Sequence, residues 1–247
     1  VCSSDLDSGI LENVLKSEFR KSNGAVTTPE HIVHNTIDST VPSEYLQSLT
    51  NQQILDLKFL DPACGSGVFL VSIYDHLATQ IESNIEERKD VLPHRYLYEK
   101  DGKKYLNLEG RKLIVNQCLH GVDINQECVE VAKLSLSLKI IDGFEPIDFN
   151  NAGLYGSQIL HGVGVNIKCG NSLVEPDILE RFSCISENLE ELAATNVFDY
   201  KTAFCDIFSR GGFDYVIGNP PYVEVKNYNV ALPCMSAYIK QRYGSDR

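Results

Sequence analysis

Four short stretches of this 247-residue chain set polar or glycine residues directly after apolar runs of strand length. The first is Asp61-Pro62-Ala63-Cys64-Gly65-Ser66-Gly67, which follows ILDLKFL (54–60) and precedes VFLVSIYDHLATQI. Its glycines permit a tight turn and the close approach of a ligand to the backbone. The start of the next helix offers unpaired amides to an anion. A carboxylate such as that of a methionine group suits such a loop. The spacing is not GxGxxG, which disfavours a nicotinamide dinucleotide. Taken singly, a glycine turn of this kind also serves packing alone.

The second stretch is Gly121-Val122-Asp123-Ile124, an acid at the end of CLHGVDI (118–124). A carboxylate at a strand tip can accept hydrogen bonds from both hydroxyls of a ribose. Asp123 stands much further from the glycine turn than the usual ~20 residues from fingerprint to acid. A looped-out insertion between them explains the excess. The third is Gly170-Asn171-Ser172-Leu173, where a polar side chain could read the edge of a purine; Asn171 also suits a turn or a helix cap. The fourth, Asn219-Pro220-Pro221-Tyr222, ends the apolar run FDYVIG. Two prolines fix the backbone, so the Asn219 side chain and the Pro220 carbonyl project rigidly from the strand end. Two such acceptors can hold both hydrogens of a planar amine, and Tyr222 adds a stacking face.

These groups need a scaffold that brings strand tips together. Residues 10–20, ILENVLKSEFR, have helical periodicity, and a polar loop leads to Pro29 at the first turn of the next helix. ILDLKFL, CLHGVDI, VNIKCGNS (165–172) and FDYVIG each read as strands, with helical VFLVSIYDHLATQI and NQECVEVAKLSLSLKI between them. Such alternation predicts a mostly parallel sheet with helices on both faces. Residues 82–113 break the rhythm with a charged stretch, Pro93 and the turn-prone KDGKK, and read as an insertion outside the core sheet. Residues 175–210 read as helix and loop.

Composition excludes several classes. Hydrophobic residues make up 43% and charged residues 23%, the range of ordinary globular domains. No run approaches the roughly 20 apolar residues of a membrane span, and no secretory signal opens the chain. The eight cysteines form no CxxC pair, so zinc spacing is absent; free, mostly buried thiols and a cytoplasmic location are expected. The formal charge of −12 argues against a long DNA footprint on this segment. Val1 at the start and a short polar tail ending in Arg247 read as a fragment of a longer protein.

In their order, GAVTTPEHIV (24–33), FLDPACGSGVFL (59–70), CLHGVDINQECVEVAKLSL (118–136), IKCGNSL (167–173) and GGFDYVIGNPPYV (211–223) resemble the adenine-specific DNA methyltransferases whose cofactor motif precedes the catalytic one. The likeness is to the large enzymes that fuse modification with restriction or phage defence. It implies a Rossmann-like, S-adenosylmethionine-dependent α/β fold, incomplete on its C-terminal side. Residues 1–50 would be a helical segment with a cofactor-closing loop, and 51–247 a partial catalytic core without its target-recognition domain.

By the same resemblance, Thr28 and Pro29 close over the methionine end of the cofactor, which Asp61, Ala63, Gly65 and Gly67 line. Asp123 binds the ribose and Asn171 the cofactor's adenine ring, and Ile124 and Ser172 also belong to the cofactor site. Asn219, Pro220, Pro221 and Tyr222 grip an adenine rotated out of double-stranded DNA. Many relatives carry Tyr where this chain has Thr27, a departure that bears on a packing role at this position and not on the loop itself. Unstacking costs a few kcal/mol, and stacking on Tyr222 returns ~1–3 kcal/mol. DNA contact would come mainly through the recognition domain outside the chain, with a fused or partner nuclease left open. The same grip suits an RNA base or a protein glutamine amide, and a silent cofactor-binding module is a further alternative.

Overall fold

The computed structural model describes residues 28–87, 90–142, 144, 161–220 and 232–244. The helix expected over 10–20 lies outside these, as do Pro221 and Tyr222. In chain order the elements are α1 (Glu30–Thr40), α2 (Ser43–Gln47), α3 (Asn51–Asp56), β1 (Phe59–Asp61), α4 (Val68–Glu86), β2 (Leu97–Lys100), β3 (Lys103–Leu106), α5 (Leu108–Cys118), β4 (Leu119–Asp123), α6 (Gln126–Ile141) and β5 (Ile167–Cys169). Short helices α7 (Ile178–Arg181), α8 (Ser183–Glu187), α9 (Leu189–Thr195), α10 (Tyr200–Ala203) and α11 (Cys205–Phe208) follow, then β6 (Tyr215–Val216) and α12 (Pro233–Tyr243).

Four strands form one sheet in the order β5-β4-β1-β6, and every pairing is parallel. Parallel strands are covered on both faces, and strand periodicity sends successive side chains to opposite sides. Phe59, Leu119, Ile167 and Ile217 enter the larger core, together with Leu70, Ile73, Leu77 and Ile81 of α4. Those α4 residues recur at helical spacing, so one stripe of the helix lies on the sheet. Leu60 and Val122 point the other way, into a cluster with Phe198, Phe204 and Ile207. Helices therefore cover both faces, as the alternation predicts.

The apolar run 54–60 is not one strand. Thr50 accepts a hydrogen bond from the Gln53 amide at 3.2 Å, and Gln53 Oε1 accepts from the Thr50 amide at 2.9 Å. This capping box starts α3, which takes Ile54 and Leu55 into the core and leaves β1 only Phe59–Asp61.

The region 82–113 also divides differently. Ile85 and Asn84 are buried in the last turns of α4, where Asn84 donates to Asn51 Oδ1 at 3.0 Å. The KDGKK turn joins β2 and β3 into a separate two-stranded sheet, with Asp101 and Gly102 both at positive φ. The Asn107 side chain accepts the Gly110 amide and starts α5, whose Ile114 and Val115 belong to the core. The excursion outside the core sheet is thus the hairpin, and the periodic pattern resumes before residue 113.

Cys64, Cys118 and Cys128 are buried and free, as expected of small apolar side chains. Cys184 and Cys234 depart from the expectation of free thiols and are joined as a disulfide between α8 and α12. No helix among the described residues is long and apolar enough to cross a membrane.

Candidate active site

Sheet order decides where the motif residues meet. β4 and β5 lie on one side of β1 and β6 lies on the other, so the chain switches direction across the sheet between β1 and β6. In open α/β sheets ligands bind at that crevice, beyond the carboxyl ends of the strands. Register pairs Asp61 with Gly121 and Asp123 with Cys169, while Ile217 donates to the Leu60 carbonyl at 2.9 Å. Asp61, Asp123, Asn171 and Asn219 therefore stand at or just past neighbouring strand tips on one end of the sheet.

The glycine loop is tied from several sides. Asp61 Oδ1 accepts the Ala63 amide at 3.0 Å, Cys64 donates to the Val122 carbonyl at 3.0 Å, and Gly65 donates to Asp123 Oδ2 at 2.8 Å. Gly65 has φ +52°, and a Cβ there would meet nothing within 4 Å, so its face is open. Gly67 differs. At φ +85° its built Cβ would lie 3.1 Å from Ala132 Cβ, so its lack of a side chain serves close packing of the loop on α6. Among the described residues, the amides of Ser66, Val68 and Phe69 have no hydrogen-bond partner. They lie at the N-terminus of a 19-residue helix, where the dipole adds to their positive potential.

Asp123 Oδ1 accepts the Asn125 amide at 2.9 Å, and the Cys128 thiol also hydrogen-bonds the carboxylate, which is thereby held on three sides. Ile124 beside it is 48% exposed and offers an apolar surface. Asp61 is 1% exposed. Burial pushes its carboxyl up to about 7; the Ala63 amide opposes this rise and the charge of Asp123 adds to it.

Past β5, Asn171 turns inward. Its Oδ1 accepts the Leu173 amide at 3.1 Å, and its Nδ2 meets Met235 Sδ of α12 at 3.5 Å. Ser172 donates its proton to the Pro62 carbonyl, tying the tip of β5 to the glycine loop. The Tyr200 phenol hydrogen-bonds the same serine and lies near Asp61. Tyr200, Gly218 and Met235 are residues of this site that the sequence reading does not single out. Of the three, only Gly218 carried a sequence signal, since it directly precedes the rigid proline corner.

Asn219 and Pro220 are exposed at the end of β6. Asn219 Nδ2 donates to Thr28 Oγ1 at 3.1 Å, bringing the loop before α1 onto the corner. Pro29 serves as the N-cap position of α1, and its carbonyl accepts the Ile32 amide at 2.9 Å.

A cavity of about 430 Å³ lies elsewhere, lined by Lys58, Asn116, His120, Asn166 and Arg210 among others. Lys58, Asn116 and Asn166 all precede strands, so this cavity is at the opposite end of the sheet from the motifs. Its Lys58 ammonium is spent on the Leu55 and Asp56 carbonyls, and burial pushes His120 down to about 4. The strand-tip crevice, not this cavity, gathers the chemistry.

Fold and strand-tip site together define an α/β methylase domain. The chain matches the N-6 DNA Methylase family over residues 4–153 and the Eco57I restriction-modification methylase family over residues 117–247. It belongs to these adenine N6 methylases of restriction-modification enzymes. It is 27% identical over 225 residues to the type II restriction enzyme and methyltransferase RM.Eco57I of Escherichia coli, covering 89% of this chain and 20% of that one. It is 30% identical over 176 residues to DNA methyltransferase A of Bacillus subtilis (strain 168), covering 70% and 15% respectively. A solved DrdV–DNA complex aligns with a TM-score of 0.47 at 20% identity, over 94% of this chain and 19% of that one. The chain thus spans about a fifth or less of the length of these relatives.

Proposed function

We propose that the complete protein methylates N6 of adenine in double-stranded DNA, with S-adenosylmethionine as donor, and that this chain holds the cofactor and one wall of the base site. The observation that carries the reading is the direct pairing of β1 with β6, which sets the Asn219 corner beside Asp61 and the glycine loop. The N-6 DNA Methylase family and the relatives' names favour DNA over an RNA base or a protein amide.

The residues present suit the cofactor. The free amides of Ser66, Val68 and Phe69 match a carboxylate, and the open face of Gly65 admits close approach. The Asp123 carboxylate at the strand tip suits the ribose hydroxyls, with Ile124 beside it. Asn171 and Ser172 border the place for the cofactor's adenine, and Thr28 and Pro29 flank its methionine end. When bound, the cofactor supplies an electrophilic methyl group on a sulfonium.

Asn219 and the Pro220 carbonyl act on the amine. They accept its two hydrogens, draw it from planarity and stabilise the positive charge that grows on it during attack. Tyr222 would stack on the flipped base, and Pro221 would stiffen the corner. No covalent intermediate on the protein is needed, so positioning carries most of the rate. A net charge of −12 supports a reading in which most phosphate contact comes from a recognition region outside this chain. The naming of RM.Eco57I as both restriction enzyme and methyltransferase supports a fused nuclease, and a cytoplasmic setting follows from a DNA substrate.

The test is transfer of labelled methyl groups from S-adenosylmethionine to unmethylated DNA by the complete protein, with RNA and protein substrates alongside. Asn219→Ala is expected to lose about 100- to 1000-fold in rate. Near-normal transfer by that variant, or labelling of RNA or protein instead, would refute the reading.

A further inference from the structure

A parallel ladder ends where its strands diverge, and the backbone groups past its last rung must find other partners. Between β4 and β5 that rung is the Gly170 amide on the Asp123 carbonyl at 2.8 Å. The next groups are the Ile124 carbonyl on one tip and the Asn171 amide on the other. Both go to a single residue. Asn196 Nδ2 donates to the Ile124 carbonyl at 3.0 Å, and the Asn196 carbonyl accepts the Asn171 amide at 2.6 Å. A carbonyl only accepts, so the end of the Asn196 amide that faces Ile124 must be its nitrogen.

The backbone of Asn196 lets it serve both tips. It closes α9 in the left-handed region, at φ +46° and ψ +56°, which asparagine tolerates better than most residues. Val197 then makes a single parallel bridge with Asn171, and the Phe198 amide reaches the Val174 carbonyl at 2.9 Å. The Phe198 ring fills the space that a Cβ at Gly170 would need. Residues 196–198 are thus clipped along the tip of β5, while the Asn196 side chain crosses to β4.

We infer that Asn196 is a positioning residue for the cofactor, setting the spacing of the two strand tips that take its adenosine half. The inference rests on the methyltransferase reading above and deepens it. That reading puts the ribose at Asp123, with Ile124 beside it, and the adenine at Asn171 and Ser172. The gap between the tips must then match one nucleoside, and Asn196 holds that gap through the backbones of Ile124 and Asn171.

Asn196→Gly removes the bond to Ile124. It keeps the left-handed turn, which glycine adopts freely, and the carbonyl that holds Asn171. In the complete protein, calorimetry without DNA should show the dissociation constant for S-adenosylmethionine raised about 10-fold, equivalent to ~1.4 kcal/mol. The adenosine half alone, supplied as methylthioadenosine, should weaken by the same factor, with a melting temperature close to that of the wild type. Asn196→Asp keeps the size of the side chain but sets an oxygen against the Ile124 carbonyl. It should weaken both ligands at least as much, and it carries the test if the glycine variant does not fold.

A lower melting temperature with unchanged dissociation constants would make Asn196 a helix terminator only and overturn the inference. So would a loss of affinity confined to variants that melt earlier. A loss for S-adenosylmethionine that methylthioadenosine does not share would place the effect at the methionine end and overturn it too. If the unsubstituted protein binds neither ligand, the parent reading fails and takes this inference with it. Normal binding by the unsubstituted protein and by both variants sinks this inference alone.

Discussion

Asp61 and Gly218 approach so closely that a Cβ on the glycine would lie 2.4 Å from the Asp61 Oδ1 atom. That contact seats the start of the proline corner on the tip of the central strand. It also explains why a glycine stands immediately before Asn219.

Gly218→Ala must therefore displace either the buried Asp61 carboxylate or the corner itself. Overpacking of this kind costs about 1–3 kcal/mol in stability. Since either shift reaches the strand-tip crevice, through Asp61 or through the corner that carries Asn219, methyl transfer should fall at least ~10-fold, consistent with the sensitivity of positioned groups to small shifts. A thermal melt and a methylation rate on the same sample check it. Wild-type values for both would show that the two tips are not in contact.

Asp61 also makes a pH prediction. Its pKa rises from an unfolded value of 3.8 to about 7 in the fold, chiefly through burial. Between these values the native protein keeps a proton that the unfolded chain releases, so stability falls as pH rises, by about 1.4 kcal/mol per unit at most. Below 3.8 and above about 7 this contribution is flat. Asp61→Asn should remove the slope, so its melting temperature gains on the wild type as pH goes from 4 to 7. Cofactor affinity should move the other way in the wild type. An ionised Asp61 attracts the cationic donor, so binding should tighten through pH 7 and lose that step in Asp61→Asn. Parallel profiles for the two proteins would count against a titrating Asp61.

Glu191 supports a third expectation. It is 2% exposed, and its Oε1 accepts the amides of Cys234 at 2.7 Å and Met235 at 3.0 Å, capping α12 with a carboxylate. Removing a charged acceptor from one buried and one part-buried donor costs about 1.5–3 kcal/mol. Glu191→Ala should speed hydrogen exchange across 233–243, and the Asn171 amide should lose its contact with Met235. Unaltered exchange in α12 would mean that the helix does not depend on this cap.

Much of the site was legible because strand tips are local features. The DPACGSG turn, the acid after CLHGV and the corner after FDYVIG each join an apolar run to a polar end within ten residues or so. The parallel sheet followed from their alternation with helices. What escaped the reading depends on partners far along the chain. Asn171 looks like an open reader of a purine edge, yet α12, more than sixty residues later, places Met235 on its amide. The pairing of Cys184 with Cys234 joins two separate helices and has no spacing signature. The boundary of β1 failed for the opposite reason: the capping box was there in Thr50 and Gln53, but the apolar run over 54–60 outweighed it. Gly67 illustrates a further limit. Two glycines in one turn looked alike, and only packing against Ala132 separates the spacer from the one with an open face.

The strand that carries Asn219 has only two residues and lies at the rim of the sheet, with Val216 62% exposed. On its inner side Tyr215 is clamped by ring stacking on Phe59 at 5.0 Å, while among the described residues no strand pairs with its outer edge. Anything that zips onto that rim stiffens the corner, and anything that peels away loosens it. On the proposed reading, the grip on the target would thus be tuned by a neighbour that never touches the base.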